Sequence, residues 1–108
     1  MEDEIHYKLL KALQENPDVT QRELAARLGI SLGKANYCLR AVMERGWVKM
    51  ANFRRNPNKM GYVYLLTPKG IEEKTRFAVR FLRHKLDEFD ALKAEIEGLQ
   101  LEVGNKAA

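Results

Sequence analysis

The stretch TQRELAARLGIS, residues 20–31, constrains this chain more than any other. Thr20 and Glu23 have the spacing of a capping box, in which the Thr hydroxyl accepts from a backbone N–H three residues on and the Glu reaches back. Leu24, Ala25 and Leu28 then supply the apolar face of a short helix. Gly29 is the left-handed residue that ends it, Ile30 fits the inside of a tight turn, and Ser31 caps a new helix at once. Two short helices on either side of a glycine turn are therefore expected, the second closed by Gly46.

The flanking segments complete the order. Ile5, Leu9, Leu10 and Leu13 recur at helical spacing before Asn16-Pro17-Asp18 stops the helix. WVKMANF and GYVYLL are rich in β-branched and aromatic residues, and each reads as a strand. RRNPNKM between them predicts a hairpin with a long basic loop. Thr67 and Pro68 restart a helix, which the pattern carries from Ile71 to about Val103. Along it Leu82, Phe89, Ile96 and Val103 recur at seven, with Ala78, Lys85, Leu92 and Leu99 as companions. That is a heptad seam with one polar defect, Lys85. The fold class expected is mainly α with a small β-hairpin (α+β). The expected division is 1–70 for the compact part and 71–108 for the long terminal helix.

The helix from Ser31 has two unlike faces. At about 100° per residue, Ala35, Leu39 and Val42 share one arc, while Gly33, Asn36, Tyr37 and Arg40 share the opposite one with Lys34 at its edge. The helix-turn-helix motif lays its second helix in the major groove of DNA. Asn suits adenine or a phosphate, Arg suits guanine or a phosphate, and small Gly33 lets backbone approach closely. Charge agrees with this reading. Between Ser31 and Gly70 eight Lys and Arg stand against Glu44 alone, whereas the last third is nearly balanced. A basic centre with neutral ends calls for a polyanionic partner at the centre.

Other signals narrow the field. The chain has 108 residues, enough for one domain with a modest core. No apolar run approaches the roughly 20 residues of a membrane span, and MEDEIHYK has no signal-peptide pattern, so a cytoplasmic protein is expected. Lone Cys38 forms no internal disulfide and suits a reducing compartment. His6, His84 and Cys38 have no metal-ligand spacing, so no metal and no cofactor is expected. No phosphate-cradling glycine loop, nucleophile elbow or paired carboxylates appear, so an enzyme is not expected. Trp47 is expected in the core, as is one face of the Tyr62–Tyr64 strand.

TQRELAARLGIS, YCLRAVMERGWV and YLLTPKG together resemble the winged helix-turn-helix of MarR-type transcriptional regulators. The resemblance covers Ile5 to Gly70, and the long last helix is similar to the family's dimerisation region. Residues 2–49 resemble more particularly a subgroup of short MarR-like regulators associated with bacterial exopolysaccharide gene clusters. The resemblance implies a dimeric DNA-binding regulator with the helix over 31–45 in the major groove and the hairpin, 54–60, as a wing. It also exposes a departure: where typical members carry Asp-x-Arg in the wing, this chain has Asn58 and Met60. Larger members enclose a ligand pocket with further helices, and here a small-molecule effector is left open.

The expected partners are double-stranded DNA and a second copy of the chain, with no membrane. The candidate DNA-contacting residues are Gln21, Ser31, Leu32, Gly33, Lys34, Asn36, Tyr37 and Arg40, with Arg54, Arg55, Asn58 and Lys59 of the wing. The candidate dimerisation residues are Leu82, Phe89, Leu92, Ile96, Leu99 and Val103. The rival from another class is a winged-helix module that binds protein and not DNA.

Overall fold

The computed structural model describes residues 2–56 and 59–107, with side chains over 3–52 and 62–104. The order is α1 (Glu2–Glu15), α2 (Gln21–Leu28), α3 (Leu32–Glu44), β1 (Val48–Asn56), β2 (Lys59–Leu66) and α4 (Pro68–Ala107).

The turn between α2 and α3 follows from its residues. The Glu23 N–H donates to Thr20 Oγ1 at 3.1 Å, and the Lys34 N–H donates to Ser31 Oγ at 3.1 Å. Each bond satisfies an N–H that a helix start leaves without a partner. Gly29 takes φ 67° and ψ 35°, a left-handed conformation that a side chain would strain. The Ile30 N–H then returns to the Ala25 carbonyl at 3.0 Å, closing α2. α3 ends the same way, with Gly46 at φ 77° and the Trp47 N–H on the Val42 carbonyl at 3.0 Å. Its last helical residue is Glu44, so Arg45 lies just past the end rather than inside it.

The core forms where the apolar stripes of α1, α2 and α3 converge. Leu9, Leu10, Leu13, Leu24, Leu39 and Val42 are fully buried, joined by Val19, Trp47, Val48 and Tyr64. Tyr64 is inward and Tyr62 exposed. The Tyr64 N–H donates to the Pro17 carbonyl at 2.8 Å, which pins the loop after α1 onto β2.

The hairpin differs from expectation. The sequence places the strand ends near Phe53 and Gly61, but pairing continues through Arg54 with Met60 and Asn56 with Lys59. Much of the expected basic loop is thus strand, with a register irregularity between Arg54 and Asn56. The ladder is built from backbone groups, so charged residues do not stop it.

α4 is anchored at its start and free at its end. The Thr67 N–H donates to the Trp47 carbonyl at 2.9 Å, and the Thr67 hydroxyl donates to the Gly46 carbonyl at 2.6 Å. The same hydroxyl oxygen accepts from the Gly70 N–H at 3.1 Å, so Thr67 caps α4 while gripping the end of α3. Farther along, Phe77 is buried against α1, Tyr7 stacks on Phe81 with centroids 5.8 Å apart, and Arg80 Nε donates to Asp3 Oδ2 at 3.0 Å. From Leu82 to Gly104 every residue is exposed. The helix has 40 residues, about 60 Å of rod, and gives the molecule its 74 Å long axis.

One buried polar group stands at the α1–α4 junction. His6 is stacked on Phe77 at 5.2 Å and lies edge-on to Trp47 at 6.2 Å. Its Nδ1 is buried with no hydrogen-bond partner among the described residues. An unsatisfied buried polar atom costs about 1–3 kcal/mol, whereas an apolar group of similar shape does not. His6→Phe should therefore stabilise the chain by about 1 kcal/mol, read as a rise in Tm of a few degrees. A fall in Tm would show that the imidazole is held by more than packing.

Candidate nucleic-acid interface

α3 turns its two faces as the sequence requires. Ala35, Cys38, Leu39 and Val42 are buried under it, and the helix is thereby fixed in rotation as well as position. Ser31, Leu32, Gly33, Lys34, Tyr37 and Arg40 are exposed, and Asn36 is half-buried between them. Tyr37 is the most prominent of these at 75% exposure. A Cβ added to Gly33 would meet nothing within 4 Å, so the backbone there is open to a close approach from outside.

Two shallow depressions flank Tyr37. One, of about 360 Å³, is lined by Gly33, Asn36, Tyr37, Arg40, Ala41 and Glu44. Four of the expected contact residues thus share one surface. The other, of about 390 Å³, lies between α1 and α3 and takes in Ile5, His6, Lys34, Tyr37, Cys38, Ala41 and Arg45. Lys34 therefore sits across the Tyr37 ridge from Asn36 and Arg40. Gln21 opens α2 and is half-buried. Sequence reasoning did not assign Glu44 to this face. It lines the C-terminal end of the depression and makes that end acidic. The only signal available was its place one turn beyond Arg40.

The wing is defined in its backbone. β1 follows α3 through the Gly46–Trp47 turn, and the hairpin carries Arg54, Arg55 and Lys59 toward its far end. The side chains of those three lie outside the described residues, as does Asn58 altogether. At the other end of the molecule, Leu82, Phe89, Leu92, Ile96, Leu99 and Val103 are between 45% and 65% exposed. Among the described residues, no group of three His, Cys, Asp or Glu could hold a metal ion, and no helix is long and apolar enough to cross a membrane.

A helix, a glycine turn, a second helix with an apolar underside and a hairpin beside it together decide the architecture. The chain has a winged helix-turn-helix fold. Residues 2–49 match the family described as winged helix-turn-helix DNA-binding. No curated protein matches the sequence. Among solved structures, the fold is similar to the PcaV transcriptional regulator of Streptomyces coelicolor bound to its natural ligand. The TM-score is 0.68 at 20% identity, over 95% of this chain and 72% of that one. It is similar to a MarR protein of Peptoclostridium difficile, with TM-score 0.64 at 18% identity, over 94% and 70% of the two chains. It is also similar to Streptococcus pneumoniae FabT in complex with DNA, with TM-score 0.56 at 19% identity, over 78% and 57%. The resemblance to MarR-type proteins drawn from sequence motifs thus extends to the fold.

Proposed function

We propose that this chain is a sequence-specific DNA-binding transcriptional regulator that acts as a homodimer. The observation that carries the reading is the outward face of α3, where Gly33, Asn36, Tyr37 and Arg40 share one surface above a fully packed underside. A helix so held presents hydrogen-bonding side chains at fixed positions, which reading base edges in a major groove demands. The free N–H groups at its start suit a phosphate. The match of residues 2–49 to a DNA-binding family and the similarity to a DNA-bound FabT support the same reading.

The division of labour follows. Residues 1–70 serve as the DNA-binding unit, and 71–108 as the dimerisation helix through Leu82, Phe89, Leu92, Ile96, Leu99 and Val103. Asn36 and Arg40 read bases, while Lys34, Tyr37, Ser31, Leu32 and Gln21 meet the backbone. The wing residues Arg54, Arg55, Asn58 and Lys59 lie along backbone or minor groove and add affinity without sequence preference. The motif resemblance of residues 2–49 extends the proposal to control of exopolysaccharide genes, with repression as the proposed sign of that control. Genome-wide footprinting of the tagged protein beside expression changes on deletion tests that extension, and footprints confined to unrelated promoters would refute it.

DNA binding itself is tested by measuring affinity for duplex DNA against salt. Each phosphate contact contributes a slope of about −0.9 in log affinity against log salt. Replacing Arg54 and Arg55 together by Ala should weaken specific and random DNA alike. It should also flatten the slope by about one unit for each phosphate left without its cation. Unchanged random-DNA binding would remove the wing from the interface. No binding to any duplex at low salt would refute the proposal and leave a protein-binding winged helix.

A further inference from the structure

We propose that the second copy seated on α4 lies parallel to the first and in register, which places both winged units at the same end of the dimer. This rests on the homodimer reading above. It comes from the charges beside the seam. With Leu82, Phe89, Ile96 and Val103 as one core column and Lys85, Leu92 and Leu99 as the other, the heptad leaves one flank of Glu88, Glu95 and Glu102. The other flank is Leu86, Lys93 and Gln100. One side of the seam is acidic over three heptads, and the opposite side carries the cation.

The two possible orientations use these flanks differently. In a parallel pair each flank meets the opposite flank of its partner, five residues farther on. Glu88 of each copy then faces the partner's Lys93, and the acidic column meets no acidic group. In an antiparallel pair like flanks meet. Glu88, Glu95 and Glu102 of both copies would line one side, and a centred overlap would oppose Lys93 to its own counterpart. Like charges across a helix pair are destabilising, and there would be three acidic residues from each copy. Among the described residues, Lys93, Glu95 and Glu102 form no ion pair within the chain, so they are available to a partner.

Lys85 fixes the register. Its Nζ is 3.2 Å from Glu88 Oε2 and 5.4 Å from the Phe81 ring centroid, so the ammonium turns from the seam toward the acidic flank of its own helix. In register, the two Lys85 residues share one layer, each already countered by its own Glu88. A stagger of one heptad would set Lys85 against Leu92 in two layers and leave apolar residues uncovered at both ends. A single polar core position selects register in this way at a cost in stability.

Disulfide trapping tests the orientation, with Cys38→Ala removing the native thiol. Leu82→Cys and Leu99→Cys chains are prepared separately and mixed under reducing conditions. After oxidation, Leu99→Cys should give a covalent dimer with itself, since equivalent core positions of a parallel in-register pair share one layer and a disulfide needs only a short Cα–Cα separation. The mixture should give only the two like-with-like products. Leu82 and Leu99 lie in different core columns and so can share a layer only in an antiparallel pair. A cross-linked product joining Leu82→Cys to Leu99→Cys, without the Leu99→Cys homodimer, would overturn the parallel arrangement. So would the absence of any disulfide in a protein that sediments as a dimer. Sedimentation of the unoxidised chain as a monomer at tens of micromolar would instead overturn the dimer reading on which the orientation depends.

Discussion

A chain carrying Leu92→Lys and Ile96→Lys should sediment as a monomer and lose operator binding by about 10²–10⁴-fold, the range by which joining two binding modules exceeds one alone. Both residues lie beyond Phe81, where no described residue of α4 is buried, and are 54% and 45% exposed. The core of α1, α2 and α3 does not touch them, so the winged unit should keep its fold and its Tm. The residual affinity of each copy for a single half-site should be nearly unchanged, which separates loss of pairing from loss of structure. Retained dimerisation would mean that the seam is not the interface.

Gly70→Ala should destabilise the chain by roughly 3 kcal/mol or more, the upper range for overpacking. A Cβ at Gly70 would press into the Trp47 carbonyl oxygen and stand 2.8 Å from its carbon. Both are backbone atoms, and the same carbonyl accepts from the Thr67 N–H, so neither side can yield cheaply. The clash would fall where the end of α3 is clamped to the start of α4. On the proposed function, DNA binding should therefore fall even at temperatures where the variant remains folded, because α3 loses its fixed relation to α4. Tm measured by circular dichroism, beside affinity at a temperature well below it, reads both effects. A Tm within a degree of the parent would contradict the close approach.

What the sequence shows of this molecule follows the range of the forces involved. Thr20, Gly29 and Ser31 act within a few residues, so their caps and turn are visible in one line of text and the structure reproduces them. The Glu23 side chain makes no return bond to Thr20 among the described residues, and the capping box is formed by its Thr half alone. The two faces of α3 are equally legible, because a helical period decides them before any partner is known. The extent of the hairpin is not, since its ladder runs on through Arg54 and Lys59 by backbone pairing that residue type does not report. Nor is the burial of His6, since it depends on Phe77 and Trp47 arriving from distant parts of the chain. Gly70 reads as an ordinary first-turn glycine until α4 meets the Trp47 carbonyl. At the candidate site the apolar and polar sets are legible, but the separation of Lys34 from Asn36 and Arg40 by the Tyr37 ridge needs the surface itself.

Binding-site selection with the wild type, Asn36→Ala and Arg40→Ala reads out whether the exposed face of α3 contacts bases. The wild type should return an imperfect palindrome with half-sites about 10 base pairs apart, or a multiple of that spacing. Each variant should lose preference at one position per half-site, at a cost of about 1–3 kcal/mol for a bidentate contact, with random-DNA binding nearly unaffected by Asn36→Ala. Motifs from both variants that match the wild type at every position, with equal preference, would contradict base contact by this face and move recognition away from α3.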